Sequence, residues 1–197
     1  MKRWNHYAED AVTVARGLLG QRLVRIDHDG RRVAGIIVET EAYLGSNDRA
    51  AHSFNGHRTP RNESMYLTGG HAYVYFIYGM HHCFNVVCGR RDEAAAVLVR
   101  ALEPAEGVKR MRARRTAARR DRDLCSGPAR LTQALAIDRT LDGLDLRRSG
   151  ELWIERAPPP AKHRILARPR IGVDYAGEWA DRPLRFLIDG SEHVSRR

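Results

Sequence analysis

Two apolar, aromatic-rich segments in the middle of the chain constrain the fold more than any other feature. Residues 73–77 and 84–88 flank a turn that contains Tyr78, Gly79, Met80 and His81. Aromatic and β-branched residues favour strands and glycine favours tight turns, so the pattern predicts a β-hairpin with Tyr78 near its tip. A ring at a hairpin tip is poorly buried, which indicates a use in binding.

A second hairpin is predicted closer to the N-terminus. Residues 10–19 have apolar positions at helical spacing, with Asp10 as the cap. Residues 23–26 and 33–38 then flank an Asp-Gly turn, which is a strong hairpin signal. The second strand delivers Glu39, Glu41 and Tyr43, and the period-2 alternation of a strand places these three side chains on one face.

The remaining segments predict a single mixed domain of helices and strands over residues 1–197, without repeats or a convincing linker. We expect a long functional loop at 45–71 and a strand at 96–102. A very basic helix is expected at 105–120, and a second helix from 126 to 137 with Ser126 as N-cap. Short strands are expected at 153–155, 170–173 and 184–188, around the Pro158–Pro160 loop.

The net charge of the chain indicates the kind of partner that it binds. The formal net charge is +10 and the pI about 10.1, which favours a polyanion. Only three of the 34 basic residues are lysines, a bias that a GC-rich genome also explains. No apolar leader or membrane-spanning stretch is visible, and the three cysteines follow no disulfide framework. We therefore expect reduced thiols in a cytoplasmic protein, with no membrane partner.

Several side chains could carry chemistry. Glu41 at a strand end could deprotonate water, although spacing alone favours a surface salt bridge. Tyr43, His52 and Tyr75 could form the walls of a pocket for a nucleobase, because a purine presents a flat π-face, or they could be ordinary core. Tyr78 could fill the gap that an extruded base leaves.

Arginines supply candidate phosphate or site contacts, against the alternative of solvated surface residues: Arg58, Arg61, Arg100 and Arg130. The start of the helix at Ser126-Gly127-Pro128 offers backbone N–H donors to a phosphate, as every capped helix does. A zinc site near His81, His82, Cys83 and Cys88 lacks the usual metal-ligand spacing, so we expect no metal and no cofactor.

These residues together resemble the alkyladenine (3-methyladenine, methylpurine) DNA glycosylase family. The similarity covers most of the chain in blocks that keep the family's order: 15–21, 38–45, 51–53, 59–62, 73–80, Asn85, 100–104, 124–128, 133–137, 177–179 and 183–186. The resemblance implies an α+β fold, a single mixed domain around a curved antiparallel sheet with flanking helices and a hairpin that enters the DNA minor groove. His82 stands where the family has an aromatic residue.

The resemblance also implies roles by position. Glu41 is expected to be the general base and Arg100 to help hold the water, while Tyr43, His52 and Tyr75 clamp the flipped base. Tyr78 is expected to intercalate, with Met80, Arg58, Arg61 and Arg130 as further DNA contacts. Asn85 is expected to exclude guanine by a clash with its exocyclic amine.

The expected function is excision of alkylated or deaminated purines from double-stranded DNA by a monomeric, bacterial, nucleoid-associated enzyme. With three lysines, none of them in these blocks, we expect a monofunctional glycosylase without lyase activity. Two alternatives stay open on the residues alone. One is a non-catalytic binder of structured nucleic acid, and the other is a metal-dependent hydrolase.

Overall fold

A curved antiparallel sheet with helices packed on it forms the framework of the protein. The computed structural model of the chain describes residues 2–157 and 164–196, so the expected Pro158–Pro160 loop lies outside the described residues. The helices are α1 (Ala11–Leu18), α2 (Val108–Arg114) and α3 (Pro128–Leu135). The strands are β1 (Arg22–Ile26), β2 (Arg32–Tyr43), β3 (Ala72–Ile77), β4 (His81–Cys88), β5 (Ala95–Glu106), β6 (Leu152–Glu155), β7 (Ile165–Arg168) and β8 (Arg185–Ile188).

The long strand β2 organises the sheet. Within the described ranges the strand order is β3-β4-β5-β2-β1-β6, β8 pairs with both β2 and β7, and every pairing is antiparallel. Register shifts on either side of Glu39 bend β2, as β-bulges do. Beyond this point β2 has β8 in place of β1 as its neighbour. The predicted α+β class and the curved antiparallel sheet are confirmed.

Helix α1 packs on the face of β2 opposite the acidic residues. Asp10 caps the helix by accepting from the N–H groups of Val12 and Thr13, as predicted. The hydroxyl of Thr40 donates to the Ala15 carbonyl at 2.9 Å, which joins the strand to the helix. Because Thr40 points to the helix, Glu39 and Glu41 point to the other face, in agreement with the predicted alternation.

Both predicted hairpins are present. At the tip of the β3–β4 hairpin, Tyr78 has φ 53° and Gly79 has φ 68°. Positive φ at both central residues is the requirement of the mirror-image turns that match strand twist. In the same hairpin the His82 ring lies 5.0 Å from that of Phe76, so the histidine takes part in ring packing there.

The predicted basic helix at 105–120 is wrong in length. Strand β5 continues to Glu106, which pairs with Ala34, and α2 occupies only Val108–Arg114. Gly107 separates the two with φ 70°, a left-handed conformation. Pairing with β2 therefore overrides the helical tendency of residues 105 and 106.

Two further predictions near the cavity are corrected. Ser126 is not the N-cap of α3; Gly127 holds that position without a side-chain cap, while Ser126 bridges to Ala101 in the sheet. Residues 170–173 do not form a strand. The Ile171 N–H donates to a carboxylate instead of a neighbouring strand, and Gly172 turns the chain with φ 76°.

Candidate active site

The sheet, the hairpin and the segment before β8 enclose a cavity of about 390 Å³. Pockets that hold small ligands begin at about this size. Its wall carries six of the predicted site residues: Tyr43, His52, Tyr75, Tyr78, Asn85 and Arg100. The other lining residues are Ala50, Met65, Tyr73, Ile77, His81, Cys83, Ala96, Leu98, Pro128, Ala129, Ile171, Gly172, Val173 and Tyr175.

Glu41 is fully buried directly behind this wall. Its Oε2 accepts from the Tyr43 hydroxyl at 2.9 Å, and its Oε1 accepts from the Ile171 N–H at 2.8 Å. The guanidinium of Arg100 lies 3.2 Å from the same Oε1. Since all three partners line the cavity, the carboxylate is held at the edge of the cavity and away from bulk solvent.

Arg100 bridges two buried acids. Its Nε lies 3.3 Å from Glu39 and its Nη1 3.2 Å from Glu41. Burial works against the charge of Arg100, but the two carboxylates outweigh it and raise the pKa of its guanidinium. Glu39 also accepts from Arg185 at 2.9 Å and from the Ser195 N–H at 2.6 Å. The group of two acids and two arginines is therefore charge-balanced.

Rings form the sides of the cavity. The His52 and Tyr75 rings meet edge to face with centroids 4.7 Å apart, and His52 Nδ1 lies 2.7 Å from the Tyr73 hydroxyl. Burial, then the neighbouring Glu41, raises the pKa of Tyr43 well above its usual range. The Tyr43 hydroxyl is therefore protonated and able to donate.

His52 is held neutral. Burial, with help from the positive charge of Arg61 and from His57, lowers its pKa to about 4. At neutral pH the ring therefore adds no charge to the cavity wall, and only one of its two nitrogens donates.

Asn85 lies at the bottom of the hairpin. Its side chain is buried, and its Nδ2 donates to the Tyr73 carbonyl at 3.0 Å. This bond fixes the orientation of the amide at the cavity wall.

The hairpin tip carries two exposed large apolar side chains. Tyr78 is 82% exposed and Met80 69% exposed. Tyr78 lines the cavity mouth, whereas Met80 lies beyond the lining. The tip therefore presents a ring and a thioether to solvent.

The three surface arginines differ in their surroundings. Arg61 lies over Tyr75 at 5.7 Å and donates to the Phe76 carbonyl, so it is close to the cavity. Arg130 donates to Ser126, next to the lining residues of α3. Arg58 forms ion pairs with Glu63 and Asp92 and lies outside the lining. The assigned roles of all site residues stay predictions.

Sequence reasoning missed the segment that closes the cavity. Arg170 forms a buried ion pair with Asp48 and lies 4.7 Å over the Tyr43 ring, and its neighbour Ile171 binds Glu41. Tyr175, 69% exposed, forms part of the opposite rim, with its hydroxyl 3.3 Å from the Ala50 carbonyl. The only available signal was the aromatic Tyr175 beside two glycines at 172 and 177.

In residues 2–157 and 164–196, no helix is long and apolar enough to cross a bilayer. The same residues contain no group of three or more His, Cys, Asp or Glu side chains placed to hold a metal ion.

Fold and site together define an α+β protein with a ring-walled cavity in front of a buried carboxylate–arginine pair. Residues 5–192 match the family model described as methylpurine-DNA glycosylase (MPG). A human DNA-3-methyladenine glycosylase is 48% identical over 96% of this chain. A Methanocella arvoryzae protein, described as a candidate 3-methyladenine DNA glycosylase, is 50% identical over 97% of this chain and 94% of its own length. The chain therefore belongs to the methylpurine-DNA glycosylase family.

Length differs among these relatives. The chain spans 66% of the human protein and 59% of a mouse DNA-3-methyladenine glycosylase, to which it is 48% identical. A Bacillus cereus relative, also described as a candidate 3-methyladenine DNA glycosylase, is 44% identical and is matched over 97% of its length. The shared part contains every element of the cavity.

Proposed function

We propose that the protein is a monofunctional DNA glycosylase that extrudes damaged purines from duplex DNA and hydrolyses their N-glycosidic bond. The substrate class comprises alkylated and deaminated purines: 3-methyladenine, 7-methylguanine, hypoxanthine and ethenoadenine. One observation carries the proposal, namely a cavity with aromatic sides set against the buried Glu41–Arg100 pair. Family membership supports it independently. We expect a monomer acting in the cytoplasm.

Glu41 would act as the general base. Hydrolysis of a glycosidic bond passes through an oxocarbenium-like transition state, which an ionised carboxylate stabilises. A carboxylate offers about four acceptor sites. Oε2 of Glu41 accepts one hydrogen bond from the Tyr43 hydroxyl at 2.9 Å, so an acceptor site remains for a water. Arg100, 3.2 Å from Oε1, would help to orient that water.

The rings would hold the extruded base. Tyr43, His52 and Tyr75 offer π-faces or edges to a purine, and a neutral His52 does not repel a cationic alkylated base. Tyr78 would occupy the gap in the base stack, with Met80 beside it. Asn85 would exclude the exocyclic amine of normal guanine.

Affinity for DNA would come from the positive charge of the chain. Arg61 and Arg130 lie near the cavity mouth and would contact phosphates. Arg58 would do so only by sharing its guanidinium with Glu63 and Asp92. A net charge of +10 predicts binding that weakens as salt rises.

The test is base release from a panel of duplexes, each with one defined lesion, under single-turnover conditions. Wild type should release at least the alkylated purines. Glu41→Gln should bind the same DNA but lose excision by about 10²–10⁴-fold, the usual contribution of a general base. Glu155→Gln is the matched control, because this strand carboxylate is also buried and arginine-paired, but its partners Arg32 and Trp153 do not line the cavity, as the partners of Glu41 do. An inactive wild type, or an active Glu41→Gln, contradicts the proposal.

The alternatives have their own outcomes in this assay. A non-catalytic nucleic-acid binder would release no base and would be insensitive to Glu41→Gln. A metal-dependent hydrolase would lose activity in EDTA, whereas the proposed enzyme should keep it. Strand breaks should appear only after alkali, since breaks without alkali require an amine nucleophile and would contradict the monofunctional assignment.

A further inference from the structure

Arg170 and Asp48 form a fully buried ion pair beside the cavity. Both side chains have 0% exposure, and the two groups meet through two parallel bonds, from Nη1 to Oδ2 and from Nη2 to Oδ1. Burying a charge pair is costly and is weak evidence of a gain in stability. Such a pair beside a reaction site therefore requires an explanation in terms of geometry.

Arg170 backs one wall of the cavity. Its guanidinium lies 4.7 Å from the centre of the Tyr43 ring, which itself lines the cavity. Because Arg170 is completely buried and absent from the lining, it supports the ring from the protein side. Its Nη1 also donates to the Ala42 carbonyl at 3.0 Å, which fixes the backbone just before Tyr43.

Asp48 extends this support to the loop after β2. Its carboxylate accepts from the N–H groups of Leu44 and Ala50, both at 3.0 Å. Arg170 is thus tied at once to the end of β2 and to the loop whose residue Ala50 lines the cavity.

The residue after Arg170 binds the acid. The Ile171 N–H donates to Oε1 of Glu41 at 2.8 Å, and one peptide unit separates this donor from the anchored side chain. Gly172, with φ 76°, then turns the chain away. Holding Arg170 therefore also holds the amide that orients Glu41.

We infer that Arg170, locked by Asp48, is a positioning residue that sets the Tyr43 ring and the Ile171 donor against Glu41. The inference rests on the proposed function and deepens it. An arginine is required because a planar fork can pair with a carboxylate through two bonds and stack on a ring at the same time. Lysine keeps the charge but provides neither the fork nor the plane.

The experiment compares Arg170→Lys with wild type in single-turnover excision of 7-methylguanine and hypoxanthine. We expect the maximal rate to fall about 10- to 100-fold, while the enzyme concentration at half-saturation and the affinity for undamaged duplex change by less than about two-fold. The matched control is Arg32→Lys. Arg32 also pairs with a carboxylate through two bonds and lies 5.7 Å from the Trp153 ring, but Trp153, unlike Tyr43, does not line the cavity.

A second variant separates positioning from folding. Arg170→Met with Asp48→Asn removes both charges and keeps an acceptor oxygen for one of the two loop N–H groups, so a merely structural pair should be replaceable without loss of excision. We expect this double variant to melt close to wild type and to excise as slowly as Arg170→Lys. In a Tyr43→Phe background, Arg170→Lys should cost less than it does in wild type, because the two residues act through the same acid.

The outcomes are distinguishable. If wild type releases no base, the proposed function and the inference both fail. If wild type is active and Arg170→Lys excises as fast as Arg32→Lys, Arg170 is structural and the inference alone is overturned. The same conclusion follows if the excision rates of the variants fall only in proportion to their melting temperatures.

Discussion

The Tyr43 hydroxyl donates to Oε2 of Glu41 across 2.9 Å, which makes a cavity wall and the buried acid behind it one hydrogen-bonded unit. Under the proposed function, the same side chain would therefore affect both the stacking on the base and the proton transfer. A change at Tyr43 should alter the chemistry even if the ring is kept.

Tyr43→Phe tests this coupling. Removing the hydroxyl leaves the stacking surface but deletes a hydrogen bond to a charged group, which is worth about 1.5–3 kcal/mol. We expect single-turnover excision to slow by about 10- to 100-fold with lesion affinity nearly unchanged. An equal loss of rate and affinity would show that the hydroxyl acts in base binding instead.

Tyr78→Ala should weaken the capture of extruded bases without loss of fold stability. The side chain is 82% exposed, so its removal costs little in the free protein. We expect at least a ten-fold drop in affinity for lesion duplexes, measured by anisotropy. Met80→Ala is the matched control, since Met80 is 69% exposed at the same tip but has no ring to insert. Equal losses in the two variants would contradict a specific wedge role.

Asn85→Ala should relax the exclusion of guanine. The shortened side chain cannot clash with an exocyclic amine, so release of guanine from undamaged duplex should rise above the wild-type background, measured by chromatography of free bases. Loss of the bond to the Tyr73 carbonyl should cost about 1 kcal/mol of unfolding free energy. Unchanged guanine release in a folded variant would remove Asn85 from the selection step.

His52 should make stability depend on pH. Burial lowers its pKa in the folded state to about 4, below the value of about 6.5 in an unfolded chain. The unfolded state then binds the proton more readily than the folded state. The stability that neutral His52 contributes to the fold is therefore complete above about pH 6.5 and is lost as the pH falls toward 4. It amounts to at most about 3 kcal/mol. Urea unfolding at pH 7.5 and 5 should show a larger loss for wild type than for His52→Gln.

Local patterns predicted the elements that carry most of the site. Strand alternation placed Glu39, Glu41 and Tyr43 on one face, and the aromatic run gave the hairpin with Tyr78 at its tip. Each of these follows from neighbours a few residues apart in the chain.

Long-range pairing could not be predicted in the same way. Asp48 and Arg170 are 122 positions apart, and the segment after Arg170 is irregular because Ile171 binds a side chain instead of a strand. The long basic helix was wrong because pairing of Glu106 with Ala34 keeps the chain in the sheet. These pairings depend on residues that are distant in the sequence, so a pattern of neighbouring residues cannot predict them.

The left-handed backbone of Tyr78, φ 53°, has an evolutionary consequence. A bulky residue pays about 1–2 kcal/mol for this conformation, whereas glycine or asparagine tolerates it. Selection for thermal robustness alone would therefore discard the tyrosine. Under the proposed function, the tyrosine lowers the stability of the free protein in exchange for a contact that the tip would make only with DNA.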